Sequence, residues 1–187
     1  MNNIEIYFKK SISRFWCPKL EVLWIKSCPN VTDASMAKIA TNCPNLREID
    51  VSYSYCISHE ALFMLGRHCQ NLEILKRNLL PRQGPNLPTV VVPVDYILAF
   101  PRYGNIESRI IGRHMPRLKH LELRYSTMTV RGLTWLCGGC SNLEHLDLCG
   151  CVSLSNSDIT RCTSNLKNLM QINKPDFNRS VGVMRLL

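Results

Sequence analysis

The sequence predicts an α/β fold, a leucine-rich solenoid of about five stacked strand–turn–helix units with a parallel sheet on the concave face and helices on the convex face. Three observations support this prediction. Cys17, Cys43 and Cys69 are 26 residues apart, each opens the same apolar phrase, and the residues that start the predicted helices follow the same period. A fixed period in the twenties indicates an array of repeats, which presents a surface and not a single deep pocket.

The repeated phrase continues beyond the third cysteine, with Met115 in place of the cysteine in the fourth copy. The first leucines of the phrases lie 26, 26, 46, 25 and 23 residues apart. The gap of 46 residues is one repeat plus about twenty extra residues, and the last phrase is degraded, as terminal repeats often are. The six leucines are Leu20, Leu46, Leu72, Leu118, Leu143 and Leu166.

Each unit is predicted to begin with a short strand. In the first unit Leu23 and Ile25 alternate with Trp24, which is the period of a strand with one buried face. Cys28 follows at the predicted turn, where a small side chain fits a tight bend. The sequence therefore places Leu23, Ile25 and, in the next unit, Ile49 in the core.

A helix is predicted after each turn. Met36, Ile39 and Ala40 lie on one helical face, and the helix should stop at Cys43 because a residue before proline avoids the helical region. Hydroxyl residues that favour the N-cap recur at the matching offset, although they were not used to find the period. They are Thr32, Ser58, Thr129 and Ser155.

Composition limits the class of protein. The 187 residues are one domain's worth of chain, and their formal charge of +9 favours solubility. The charge is compatible with an acidic partner, but the favoured interpretation is basic residues scattered on the convex and terminal faces. Basic residues do not alternate with aromatic ones along the sequence, so we expect no nucleic-acid binding. The longest apolar stretch, 90–100, is interrupted by Pro93 and Asp95 and is too short to span a bilayer, so we expect no membrane partner.

The ten cysteines are predicted to be free thiols. They recur in phase with the repeat, as buried apolar residues would, and free cysteine behaves as a small hydrophobe. The N-terminus MNNIEIYFKK does not have the pattern of a signal peptide. A reducing compartment, the cytoplasm or the nucleus, is therefore expected.

The phrase CPKLEVLWIKSCPNVTD resembles the cysteine-containing leucine-rich repeat of F-box proteins, over about residues 17–160. LKRN at 75–78 and GCVSL at 150–154 are similar to plant F-box/LRR proteins that interact with a Skp-type adaptor. The resemblance implies a non-catalytic protein whose repeats select a substrate for an SCF ubiquitin ligase. It also implies that an upstream F-box binds the adaptor.

The sixteen residues before Cys17 are too few for an F-box, which predicts either an N-terminally truncated relative or an incomplete gene model. A Skp-type adaptor is then a partner only if the full-length protein has an F-box. Phe8, Ile12 and Phe15 have near-helical spacing, enough for one capping helix. The predicted divisions are a capping segment at 1–16, a repeat domain at 17–174 with an inserted loop at 79–105, and a tail at 175–187.

The outward strand positions form the predicted binding surface for a protein substrate. Alternation directs these side chains away from the core, so they should line the concave face in two adjacent rows. Trp24 is the strongest candidate because an exposed tryptophan among charged groups is typical of an interface. The alternative is a solvated face with Trp24 covered by the N-terminal segment. The candidates are Trp24, Lys26, Asp50, Ser52, Lys76, Asn78, Glu122, Arg124 and Asp147.

The inserted loop is a candidate lid. Half of the ten prolines lie in 79–105, around an apolar run without repeat phase, and long loops without secondary structure are often functional. Val91, Tyr96 and Phe100 are the candidate contact residues. The alternative is a disordered insertion, chiefly over 79–90.

Two alternative functions remain open. Cys137 and Cys140 with Cys149 and Cys151 could hold zinc or sense oxidation, although the repeat explains three of these four positions. The chain could also be a free-standing scaffold unrelated to ubiquitination. The sequence offers no Ser–His–Asp grouping or glycine-rich phosphate loop, and its five histidines lie at unrelated or surface offsets. We therefore expect a monomer without catalysis or cofactor.

Overall fold

The protein is a parallel solenoid, seen in a computed structural model that describes residues 3–5, 17–80 and 94–175. Its strands form one parallel sheet in which spatial order follows chain order. Each strand pairs with the next in matching register, so that Leu23 lies beside Ile49 and Ile49 beside Leu75. The strands are β1 Asn3–Glu5, β2 Val22–Trp24, β3 Glu48–Asp50, β4 Ile74–Lys76, β5 His120–Glu122, β6 His145–Asp147 and β7 Gln171–Asn173.

The helices form the second layer, and each packs on the helix of the next unit. Along α1 the predicted face is confirmed, since Met36, Ile39 and Ala40 are fully buried. The helix ends before Cys43, as Pro44 requires. The helices are α1 Asp33–Asn42, α2 His59–His68, α3 Val94–His114, α4 Val130–Gly139 and α5 Asn156–Thr163.

The predicted helix caps are confirmed as positions. Thr32, Ser58, Thr129 and Ser155 all precede a helix with extended backbone. Only two use their side chains in the expected way: Ser58 Oγ accepts from the Glu60 backbone N–H, and Ser155 Oγ accepts from that of Asp158. The caps therefore mark the repeat period without being equally strong.

The cysteines that open the phrases lie at the junctions between units. Cys43, Cys69 and Cys140 are buried, and all ten cysteines of the chain are free thiols. The Cys69 thiol donates to the Cys43 backbone oxygen at 3.5 Å, and the Cys140 thiol donates to that of Met115 at 3.6 Å. A small hydrophobe with a weak donor suits a site that must contact the preceding unit's backbone.

The turn after each regular strand adopts left-handed backbone. Ser27, Tyr53, Tyr125 and Gly150 occupy the same position of their units and all have positive φ. At Gly150, with φ +74°, an added Cβ would lie 2.3 Å from the Tyr125 ring. Glycine there lets the last turn accept the tyrosine of the preceding one.

The predicted loop at 79–105 is wrong over its second half, which belongs to α3. Tyr96 and Phe100 are helical, so they are not lid residues on a loop. The prediction counted Pro101 among the prolines of a loop, but α3 continues through it. Val91 lies outside the described residues.

The N-terminal segment contributes a strand. β1 pairs with β2 and extends the sheet by one position. The three residues of the expected capping helix, Phe8, Ile12 and Phe15, lie outside the described residues. Within the described parts of the chain, the helices fall short of the length and hydropathy that crossing a bilayer requires.

The third unit has a polar interior. Arg77 occupies the position that is apolar in the other units and is 1% exposed. Its guanidinium donates to the Ile57 backbone oxygen at 2.8 Å and to Glu107 Oε1 at 3.2 Å. Because Glu107 lies on α3, this buried ion pair joins the helix of the insertion to the sheet.

Candidate partner-binding surface on the concave face

Three rows of side chains cross the concave face, one residue from each strand or from the position after it. The alternation of the strands puts Leu23, Ile49 and their equivalents in the core and these rows on the outside. The first row is Val22, Glu48, Ile74, His120, His145 and Gln171. The central row is Trp24, Asp50, Lys76, Glu122, Asp147 and Asn173. The exit row is Lys26, Ser52, Asn78, Arg124 and Cys149.

Trp24 anchors the N-terminal half of this surface. Its indole N–H donates to Glu48 Oε1 at 2.9 Å, and the residue remains 37% exposed. Glu48 also lies 3.8 Å from Lys76 Nζ, which is 3.9 Å from Glu122 on the far side. The tryptophan ring is therefore held in a fixed orientation with part of its surface open to a partner, and Trp24 matches its predicted place.

Asp147 organises the C-terminal half. Its carboxylate accepts from Arg124 at 2.7 Å, from the Asn173 amide at 2.8 Å and from the Cys149 backbone N–H at 2.9 Å. Burial opposes ionisation, but these hydrogen bonds and the arginine charge outweigh it and lower the pKa of Asp147. The hydrogen bond to Asp147 in turn raises the pKa of Arg124, whose side chain is 44% exposed.

Glu122 and Asn78 join the two halves. The Asn78 amide donates to Glu122 Oε2 at 2.7 Å, and Asn78 Oδ1 accepts from the Arg124 backbone N–H at 3.1 Å. Burial would raise the pKa of Glu122, but hydrogen bonds from Asn78 and His120 lower it overall. A continuous polar network therefore runs from β2 to β7, and the lowered pKa values keep Glu122 and Asp147 ionised at neutral pH.

Three predicted contact residues are not on the accessible surface. Ser52, Asn78 and Asp147 are 1%, 6% and 1% exposed. Alternation correctly placed them on the concave side, but the polar atoms of each form hydrogen bonds with neighbours in the network. Ser52 Oγ, for example, accepts a hydrogen bond from the Asn78 backbone N–H. These residues position the others, whereas Trp24, Lys26 and Arg124 are exposed and Asp50, Lys76 and Glu122 are partly exposed.

The first row was missed by the sequence prediction. The rings of His120 and His145 stack with centroids 4.1 Å apart and planes 2° apart. With Ile74, Met170 and neighbouring charged residues they line a cleft of about 280 Å³. Both histidines stand two residues after the first leucine of their phrase, so aligning MPRLKHLEL with CSNLEHLDL would have placed them side by side. The prediction placed the five histidines at unrelated or surface offsets; for this pair the offsets are equivalent and lie on the surface.

The C-terminal cysteines have the environment of core residues. Cys137, Cys140 and Cys151 are buried, and burial raises the pKa of each thiol to about 12. Zinc binding and redox sensing both need accessible thiolate, which this environment disfavours. Among residues 17–80 and 104–175, the side chains include no group of three or more His, Cys, Asp or Glu placed to hold a metal ion.

The phased helices, the one-to-one parallel sheet and the concave polar network define a leucine-rich-repeat solenoid. No protein-family model matches the chain. Similarity to curated proteins does extend over most of it. An Arabidopsis thaliana protein named F-box/LRR-repeat protein 19 is 69% identical over 170 residues, which cover 91% of this chain and 56% of the relative.

Two further Arabidopsis thaliana proteins with F-box names are also similar to most of this chain. F-box protein SKIP1 is 51% identical over 160 residues, 86% of this chain and 53% of its own length. F-box/LRR-repeat protein 23 is 33% identical over 84% of this chain and 32% of its own length. Over most of its length the chain is therefore similar to plant proteins named F-box/LRR-repeat proteins, and it spans about half the length of the first two relatives.

Proposed function

We propose that this protein selects a protein substrate on its concave face as the recognition part of an SCF-type ubiquitin ligase. The observation that supports this most is the network from Trp24 to Asn173, which holds the exposed Trp24 and Arg124 and the partly exposed Lys76 in fixed positions across six strands. Rigid aromatic and arginine anchors are the residues that dominate protein interfaces. The names of the F-box/LRR relatives support the role in ubiquitination.

The division of labour follows from the family. The repeats bind the substrate, partner subunits transfer ubiquitin, and a Skp-type adaptor is bound through an F-box of the full-length protein. The work is proposed to take place in the cytoplasm or nucleus, where free thiols such as the ten of this chain persist. A scaffold unrelated to ubiquitination would use the same face but without adaptor or ligase.

The surface can be tested by capture from plant extract. Tagged protein is incubated with extract in which the proteasome is inhibited, and bound proteins are identified by mass spectrometry. Trp24→Ala and Lys26→Glu should each reduce recovery of the specific partner. Arg124→Gln is preferred to a charge reversal, because a glutamate there would face the buried Asp147 carboxylate and disturb the fold.

The matched control is Lys38→Glu, an exposed lysine on the convex helix α1. It changes the net charge as Lys26→Glu does but should leave capture intact. Unchanged capture by all three concave variants would exclude this face. Capture that depends on the face, combined with no ubiquitination of the captured protein by a ligase reconstituted with the full-length protein and its adaptor, would favour the scaffold alternative.

A further inference from the structure

A second groove lies on the opposite, convex side. Its volume is about 400 Å³, and α3 provides most of its lining. Ile106 and Ile110 of α3 give it apolar surface, with Ile106 38% exposed. Phe63 of α2 and Trp135 of α4 line it from the neighbouring helices. A groove of this size accommodates one or two side chains of a partner.

The charged side chains that line this groove are all positive. Arg109, Arg113 and Arg131 line it, and its lining contains no carboxylate. Arg67 adds a further cation next to it, with its guanidinium 5.7 Å from the centre of the Phe63 ring. Within 17–80 and 104–175, none of these four arginines forms a salt bridge with a carboxylate. On the concave face, by contrast, Lys76 and Arg124 are both paired.

Two arginines are already oriented by the aromatic wall. The Arg131 and Arg109 guanidinium carbons lie 4.7 and 5.5 Å from the centre of the Trp135 ring. Stacking on a ring holds a guanidinium in place while its N–H groups stay free for a carboxylate, which can accept two of them at once. The groove therefore offers preoriented donors around apolar surface.

The chain itself does not supply a complementary occupant. The segments outside the described residues, 1–2, 6–16, 81–93 and 176–187, contain a single acidic residue, Asp176. A second copy is also a poor match, because two chains of formal charge +9 repel each other. Charge complementarity favours an acidic occupant from outside residues 1–187.

We propose that the groove between α2, α3 and α4 binds a partner peptide in which acidic residues flank one apolar residue. The apolar side chain packs on Ile106 and Ile110, and the carboxylates accept hydrogen bonds from Arg109 and Arg131. This surface is separate from the concave face, so the protein binds two partners on opposite sides. A nucleic acid fits less well, since base stacking needs open ring faces and the guanidinium groups lie over those of Phe63 and Trp135.

The test is fluorescence anisotropy with a labelled peptide, GSEELEEGS, at an ionic strength of about 0.15 M, where the Debye length is about 8 Å. We expect saturable binding, weaker binding of the matched peptide GSEESEEGS, and none of GSKKLKKGS. Arg109→Gln with Arg131→Gln should raise the Kd about tenfold or more, because charge-assisted hydrogen bonds are lost. Both arginines are exposed, so the variant should fold normally, which a thermal melt checks.

The control is Lys38→Gln with Lys167→Gln, which removes two exposed positive charges away from the groove. It should change the Kd less than about twofold, as expected for remote charges screened by salt. Equal weakening by both double variants would mean non-specific charge attraction and overturn the proposal. Equal affinity for the leucine and serine peptides, or tighter binding of a nine-nucleotide oligouridine, would also overturn it.

Discussion

The third unit differs from its neighbours in what fills the space between sheet and helix. In the regular units this space is apolar, with Ile25, Val51, Leu123 and Leu148 at one strand-side position. In the third unit the position is Arg77, and the facing helix brings Glu107 and Ser108, all buried. The regular units are therefore held by shape and burial, and the third by directed polar bonds.

This difference coincides with the insertion. α3 has 21 residues, against 10 in α1, α2 and α4, and begins upstream of the repeat position where the other helices start. Apolar contacts bury surface area but define the register between two elements only loosely. An arginine that is hydrogen-bonded to two elements fixes their relative position. We infer that the Arg77–Glu107 pair sets the register at which the longer helix docks.

Removing Glu107 should give the largest effect on stability. Glu107→Ala leaves a buried guanidinium without its counter-charge, and the free energy of unfolding should fall by about 3–5 kcal/mol. Replacing both partners, as Arg77→Leu with Glu107→Leu, should cost far less or stabilise the protein. Chemical denaturation measures both variants. If Glu107→Ala lowered the free energy of unfolding by less than about 1 kcal/mol, the ion pair would not be what holds α3 to the sheet.

The regular units should respond to loss of volume. Ile49 is fully buried between β2 and β4, so Ile49→Ala should open a cavity and lower the free energy of unfolding by about 2–5 kcal/mol. Val152→Ala is the control, because Val152 is 68% exposed and should have almost no effect. If both substitutions behaved alike in denaturant, the placement of Ile49 in the core would be wrong.

The concave face holds a second buried carboxylate paired with arginine, and its contribution should depend on pH. Asp147→Asn should cost about 2 kcal/mol at pH 7, because hydrogen bonds to a charged group are lost. The pKa of Asp147 is lowered in the folded protein, so its stabilisation is present above the ordinary value of 3.8 and is lost as pH falls below it.

Unfolding of wild type and Asp147→Asn should therefore be compared from pH 7 down to pH 3. The difference between the two curves should shrink as pH falls below 3.8. A difference in stability that stays constant over this range would mean that the partners do not lower the pKa of Asp147. Lys38→Gln, on the convex side, provides a pH control without a carboxylate.

Sequence periodicity predicted the features of the fold that recur in each repeat. The strands, the helix faces of the regular units and the cap positions follow from residues such as Leu23, Met36 and Ser58, whose roles depend on local spacing. It did not predict the burial of Asn78, which depends on neighbours 44 and 46 residues away, Glu122 and Arg124. Alternation states which way a side chain points, but not whether another side chain covers it.

The convex groove illustrates the same limit. Three residues of its lining are far apart in sequence and follow no common period: Phe63, Arg109 and Trp135. Packing of neighbouring helices brings them together. The sequence predicts basic residues scattered on the convex face; Arg109, Arg113 and Arg131 do lie on this face, but they lie close together. α3 provides six of the nine lining residues, and the sequence prediction had assigned the first of them, Asn105, to a loop.

Substitutions at the helix caps should have the smallest effect on stability, and they distinguish units whose cap side chain is hydrogen-bonded from units whose cap side chain is not. Ser155 Oγ accepts from the Asp158 backbone N–H at 3.1 Å, so Ser155→Ala should cost about 1 kcal/mol. Thr32 has no side-chain cap bond, and Thr32→Ala should cost less than about 0.5 kcal/mol. The matching position of the third unit, Gly104, lies inside α3, where a cap has no role.

Gly104→Ala completes this comparison. Alanine normally stabilises a helix interior relative to glycine by about 1 kcal/mol. Here its Cβ would lie 2.3 Å from the Met128 backbone nitrogen, so the free energy of unfolding should fall instead. Thermal melts of the three variants can rank them. A stabilising Gly104→Ala would show that α3 can move away from the following turn, and the third unit would then be less tightly fixed than its ion pair implies.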